Sequence, residues 1–205
     1  MYGITSPIFS KAIYENTLNL DTKKIISTID YAIKPYGENK SETKINDLYV
    51  LEKEKFTFLK KIITDEFKYF FNTVLNYTNT FKITTSWFTV LEKGKKGKLH
   101  NHQNCMYSGV LYLQVNKKTG DIVFHDFSDK RNYLIPTEYN IYNSKEWRFR
   151  PINGLILFFP SEMQHIMEKN NSDLVRYSLA FNIMPTGTLG DKASDSHYMY
   201  NEQTH

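Results

Sequence analysis

The sequence predicts a mainly β fold of the α+β class, in which N-terminal helices precede a double-layered antiparallel β domain. Three observations carry this. Apolar residues recur at helical spacing over roughly the first 80 positions. From Phe81 onward the period changes to two, and β-branched and aromatic residues take over. The short strand-like runs then follow one another with no helix between them, which fits a sandwich or barrel and not a parallel sheet.

In chain order, Asp21 to Ile33 places Ile25, Ile26, Ile29 and Ile33 at spacings of three and four behind Asp21, a residue type that caps helix N-termini. Ser41 to Asp47 is polar and reads as loop. A longer amphipathic helix is expected from Lys53 to Tyr77, with Phe56, Leu59, Ile62, Ile63, Phe67, Phe70, Phe71, Val74 and Leu75 on its apolar stripe, a stripe that belongs to the core. Five alternating runs follow: FKITTSWFTVLE, MYSGVLYLQV, DIVFHDF, GLILFF and VRYSLAFNI. Asn116 to Gly120 (NKKTG) separates two of them and reads as a hairpin turn. With 205 residues the chain is expected to form a single domain over 1–205. Residues 1–80 would be mainly helical support, 81–184 the jelly-roll core and 185–205 a polar, loosely held tail.

Composition narrows the function classes. The hydrophobic fraction is 40% and there are 14 Phe and 15 Tyr, a packed globular profile and not a disordered one. No run reaches the roughly 18 apolar residues of a membrane span, and the first residues lack a basic segment leading into an apolar one, so a soluble, cytoplasmic protein with no membrane partner is expected. The single cysteine, Cys105, has no internal partner for a disulfide and reads as a small buried hydrophobe. The net charge of +4 is mild. Its densest basic run, Lys93 to Lys98 (KGKKGK), reads as a solvated loop; it could meet a phosphate or another anion, but it lacks the interleaved aromatics of a nucleic-acid platform.

The chemistry lies in the histidines. Of six, at 100, 102, 125, 165, 197 and 205, four fall inside the β region. Residues i and i+2 of a strand share a face, so His100 and His102 in LHNHQN can reach one metal ion while Asn101 points away. His165, after the apolar run Leu155 to Phe159 and a Pro-Ser turn, sits at the mouth of a sheet and supplies a third candidate ligand. Asp126 in VFHDF is a carboxylate alternative. His125 and Asp126 alternate across their strand, so only one of them can point inward, and both also read as strand-end surface residues. Eleven residues beyond His165, Arg176 stands on the polar face of VRYSLAFN. A guanidinium on an inner face is costly unless paired, and the partner is either an internal Asp or Glu or a bound dicarboxylate gripped in a two-pronged contact. Ser178, on the same face, would add a hydroxyl to that carboxylate. Trp87, Tyr107 and Phe124 are candidate pocket walls that also suit the core.

The ordered motifs Ser86-Trp87, His100-Asn101-His102, Ser108-Gly109-Val110-Leu111-Tyr112, Phe159-Pro160-Ser161, His165, Arg176 and Phe181-Asn182 resemble an uncharacterised branch of the iron(II) and 2-oxoglutarate oxygenases. The likeness spans Thr85 to Asn182, and Ile8-Phe9 is similar to the family's opening. It implies a double-stranded β-helix, cupin-like jelly roll, with iron at the open end and His165 as the distal metal histidine. It further implies Arg176 as the clamp on the far carboxylate of 2-oxoglutarate, shared with Tyr112. Trp87 and Asn182 would belong to the substrate pocket. The sequence departs from the wider superfamily at one place, where His102 stands in the position that an H-x-D motif gives to a carboxylate.

The expected function is therefore a dioxygenase that takes iron(II), 2-oxoglutarate and dioxygen and hydroxylates a C–H bond, releasing succinate. Two rivals stand beside it. A three-histidine cupin dioxygenase would bind metal without 2-oxoglutarate and have no use for Arg176. A non-catalytic jelly-roll binding module would lose only folding when His100 and His102 are replaced. The prime substrate and the oligomeric state, a homodimer included, are not legible in the sequence.

Overall fold

The computed structural model of the chain describes residues 3–29, 43–44, 47–128, 134–191 and 193–200. After an extended stretch the chain forms β1 (Tyr14–Thr17) and then α1 (Thr22–Ser27), whose first turn is closed by the Asp21 side chain accepting from the Lys24 amide at 3.0 Å. The expected helix is thus shorter than its apolar pattern: it ends at Thr28, Ile25 and Ile29 are buried, and Ile33 lies outside the described residues. β2 (Thr43–Lys44) pairs with β3 inside the stretch expected to be loop.

The long helix resolves into two short 3-10 turns, α2 (Thr57–Lys68) and a π-helical turn (Tyr69–Val74). Its stripe is real, with Phe56, Leu59, Ile63, Phe67, Phe70 and Phe71 all buried. The wider π turn rotates the chain after Phe71, so Val74 is half exposed where the helical spacing put it in the core. The first third also contains β1, a strand where only helices were expected.

The five strand-like runs become β3 (Thr80–Leu91), β4 (Tyr107–Gln114), β5 (Ile122–His125), β7 (Leu155–Pro160) and β9 (Arg176–Leu189). Three shorter strands join them: β6 (Glu146–Phe149), β8 (Gln164–Met167) and β10 (Tyr198–Tyr200). The tail is therefore partly built into the sheet, because β9 runs to Leu189 and β10 pairs back onto it.

The major sheet has the order β1-β7-β4-β9-β3-β2 and the minor one β6-β5-β8. Residues 94–102 extend the minor sheet beside β8 through the bonds Gly97 N to Met167 O, His100 N to His165 O, His165 N to His100 O and His102 N to Ser161 O, all 2.8–3.0 Å. Gly97 permits this approach, since a Cβ there would lie 3.1 Å from the Met167 backbone nitrogen. From β3 onward the chain then alternates between the two layers as a jelly roll does: β3 major, 94–102 minor, β4 major, β5 and β6 minor, β7 major, β8 minor, β9 major. The turn Asn116–Gly120 accordingly carries the chain from one sheet to the other. It is not a hairpin, because β5 pairs with β6 and β8 and not with β4.

Two cores result from the period of two. One face of the major sheet (Phe88, Val90, Leu111, Leu113, Ile156, Phe158, Leu179, Phe181) packs against the helices. The other face (Val110, Tyr112, Leu155, Leu157, Phe159) meets Ile122 and Phe124 of the minor sheet. Tyr107 belongs to the helical side, where it meets Phe67, Phe70 and Phe71, and so is not a pocket wall. Among the described residues no helix is long and apolar enough to cross a membrane.

Candidate functional site

The inner face of the major sheet can be read rung by rung across β3, β9 and β4, because the register is continuous there. Thr85, Asn182 and Ser108 form the first rung, Trp87, Ala180 and Val110 the second, and Thr89, Ser178 and Tyr112 the third; Leu91 faces Arg176 on the last. The minor sheet lays His100, His102 and His165 over the first rungs. A small cavity of about 40 Å³ lies between the layers, lined by Trp87, His100, His102, Phe159, His165 and Ser178 among others.

The three histidines meet there. One ligand atom from each lies within 4.8 Å of the others, a group able to hold one metal ion. His100 and His165 share a mutual main-chain bridge, and the His102 ring stacks on Trp87 with centroids 5.8 Å apart. Each ring uses Nδ1 for a fixed oxygen: His100 to Lys98 O at 2.8 Å, His165 to Met163 O at 3.0 Å, and His102 to Asn182 Oδ1 at 2.6 Å. These acceptors call for the proton on Nδ1, which puts the lone pair of each ring on Nε2. Burial, and then the neighbouring His100, push the His165 imidazole down to about 3, so it is neutral at pH 7, as a ligand must be.

No carboxylate among the described residues belongs to this cluster. Asp126 accepts from the Ser128 amide and hydroxyl at the surface, and His125 faces Glu146 at 3.2 Å with its ring stacked on Phe127. Phe124 is the inward residue of that strand, set against Phe159 and His165.

At the other end, Arg176 is 1% exposed. Its Nη1 donates to Thr119 O and Gly120 O at 3.4 and 3.3 Å, and the guanidinium carbon lies 4.9 Å from the centre of the Tyr112 ring. Nε and Nη2 are buried without a hydrogen-bond partner among the described residues. Among the described residues no internal acid meets these two groups. Asp121 and Glu168, the acids beside the 116–120 turn, pair instead with Arg150 and Arg148. Ser178 and Tyr112 are fully buried one rung above. A buried cation with two orphaned N–H directions is costly, at about 1–3 kcal/mol or more for each unmet group, and a two-pronged carboxylate removes that cost.

His100, His102 and His165 converge, Arg176, Tyr112 and Ser178 gather one to three rungs deeper, and Trp87 lines the cavity. The Asn182 side chain is committed to His102, Ser108 and Thr85 and is absent from the cavity lining. Cys105 is half-buried, its Sγ 3.5 Å from Gln103 O. Sequence reasoning missed the acceptors behind the rings, Lys98 O, Met163 O and Asn182. The two carbonyls carry no side-chain signal, whereas Asn182 already stood among the recurring motifs.

Residues 85–182 match the model of the family described as "Putative 2OG-Fe(II) oxygenase". No curated protein matches the sequence. Solved structures do match by fold. A carbocyclase of nogalamycin biosynthesis, SnoK, described as non-heme and α-ketoglutarate-dependent, is 12% identical with a TM-score of 0.66, over 91% of this chain and 85% of that one. A Pseudomonas putida prolyl-4-hydroxylase is 14% identical with a TM-score of 0.55, over 87% and 95%. HygX from Streptomyces hygroscopicus, solved with nickel, 2-oxoglutarate and hygromycin B bound, is 13% identical with a TM-score of 0.57, over 86% and 84%. The alternating jelly roll is thus the double-stranded β-helix of these enzymes. Residues 85–182, which contain the histidine cluster and the buried arginine, are thus similar to the 2OG-Fe(II) oxygenases, enzymes dependent on iron(II) and 2-oxoglutarate.

Proposed function

We propose that this chain binds iron(II) through Nε2 of His100, His102 and His165, seats the far carboxylate of 2-oxoglutarate on Arg176, and hydroxylates a C–H bond of a substrate that enters beside Trp87. The observation that carries the reading is the guanidinium of Arg176, buried in the same inner face as the histidines with Nε and Nη2 unmet. When bound, iron(II) and 2-oxoglutarate supply the oxidation, with decarboxylation of the keto acid to succinate. The protein's own share is positional. Nδ1 contacts orient the three rings, Arg176 and Ser178 hold the carboxylate with the Tyr112 ring against the cation, and Ile122, Phe159 and Trp87 keep the cavity apolar.

The test is an anaerobic titration of the metal-free chain with iron(II) and then 2-oxoglutarate, following the visible band that chelation of the keto acid produces. The band is expected in the wild type and lost in His165→Ala. Arg176→Ala should keep iron and lose the band at 2-oxoglutarate concentrations that saturate the wild type. Three histidine ligands also suit a cupin-type dioxygenase that does without 2-oxoglutarate. Iron binding with no band in the wild type would establish that rival, and an unchanged band in Arg176→Ala would overturn the role given to Arg176.

A further inference from the structure

The three rings are held in two different ways. His100 and His165 each bond, through Nδ1, the main-chain carbonyl two residues earlier, Lys98 O and Met163 O. Any sequence that follows this backbone path supplies those acceptors. His102 instead bonds a side chain, Asn182 Oδ1, at 2.6 Å. An H-x-D motif needs no such partner, because either carboxylate oxygen can face the metal. A histidine in that place does need one, since an imidazole has a single free lone pair and the tautomer decides which nitrogen carries it.

The rest of the first rung fixes Asn182 in turn. Its Nδ2 donates to Thr85 Oγ1 at 3.0 Å, and its Oδ1 also accepts from Ser108 Oγ at 2.9 Å. Ser108 Oγ lies 2.8 Å from Ser161 Oγ, and the Ser161 carbonyl accepts the His102 amide at 2.9 Å. Ser108 and Ser161 are buried, at 0% and 1% exposure, so water does not compete for these groups. Thr85, Asn182 and Ser108 are direct cross-strand partners on β3, β9 and β4. The amide stands with Nδ2 toward Thr85 and with Oδ1 toward both Ser108 and His102.

We propose that Asn182 is a positioning residue that sets the tautomer of His102 and so presents its Nε2 to the metal, with Thr85, Ser108 and Ser161 locking the amide. This rests on the three-histidine reading and assigns Asn182 a role other than contact with substrate. It also accounts for the Ser-Gly, Phe-Pro-Ser and Phe-Asn motifs as one device.

The tautomer can be read directly in the metal-free, 15N-labelled wild-type chain by two-bond 15N–1H correlation of the histidine rings. His102 is expected to carry its proton on Nδ1, against the Nε2–H preference of a free side chain, and an Nε2–H signal overturns the proposal whatever the variants do. In Asn182→Leu the ring should revert toward Nε2–H and the Co(II) affinity, followed by absorption titration, should fall about 10–100-fold. Asn182→Asp keeps an acceptor at the same place and should restore affinity to within about threefold. Unchanged Co(II) affinity in Asn182→Leu, beside a loss in His102→Ala, overturns the role of Asn182 and leaves the three-histidine site standing. Unchanged affinity in His102→Ala removes His102 from the metal and overturns both. Should Asn182→Leu fail to fold, the wild-type tautomer decides alone.

Discussion

At the scale of single residues, the most tightly constrained position near the site is Gly109, beside Ser108 on β4. A Cβ there would clash with the Phe181 ring and come within 2.7 Å of Leu157 O. Phe181 is fully buried in the helical core, so the ring cannot swing away. Gly109→Ala should therefore destabilise by about 1–3 kcal/mol, read as a lower midpoint in a urea melt with an unchanged slope. An unaltered midpoint would mean that β4 shifts freely at this rung. The neighbouring histidines show how far side-chain chemistry could be read from sequence. His100 and His102 share a face by strand parity alone, and Arg176 announced itself as a charge on an inner face. The pairing of Arg176 was undecidable in one dimension, because Asp121 and Glu168 reach it or miss it according to how the 116–120 turn crosses between sheets. Asn182 was visible as a motif residue but not as the partner of His102, 80 positions away.

At the scale of elements, the strands with strong alternation were legible to within a residue or two at β3, β4, β5 and β7 and at the start of β9, which runs on to Leu189 past the end of its predicted run at Ile183. The ones that were not, β1, β2, β6, β8 and β10, are two to four residues long and too short to show a period. The segment 94–102 was hidden for another reason. Its glycines and lysines read as loop, yet main-chain bonds to β8 seat it as the minor sheet's outer element, and that pairing is what brings His100 opposite His165. The helix α2 braces the opposite side of the major sheet through Phe67, which is fully buried and makes ring contacts with Phe71, Phe81, Tyr107 and Phe158. Phe67→Ala should cost about 3–5 kcal/mol, a large part of the stability of an ordinary domain. Because the loss falls on the helical core, the folded fraction should still bind Co(II) with wild-type affinity. A weakened affinity in the folded variant would show that the helical face governs the site.

At the scale of the whole molecule, the histidine cluster joins parts of the chain that the backbone connects only loosely. His100 and His102 lie on the outer segment of the minor sheet, His165 on β8, and Asn182 ties His102 to β9 of the major sheet. A metal ion bound by the three rings would cross-link these at the open end of the jelly roll, beside the small cavity between the two layers. Binding to the folded chain alone adds RT ln(1 + [metal]/Kd), about 2.7 kcal/mol at a free metal concentration 100-fold above Kd. For a chain of this length, roughly 2–4 °C per kcal/mol converts that to a rise in Tm of about 5–11 °C. The rise should grow with metal concentration, vanish on chelation and be absent in His165→Ala, whose own metal-free Tm serves as the baseline. Arg176→Ala should keep it, since the arginine sits deeper on β9 and touches none of the rings. A metal-dependent rise that survives His165→Ala would place the ion elsewhere on the chain, and the wild type's failure to rise with any divalent ion would leave the cluster without a ligand to hold.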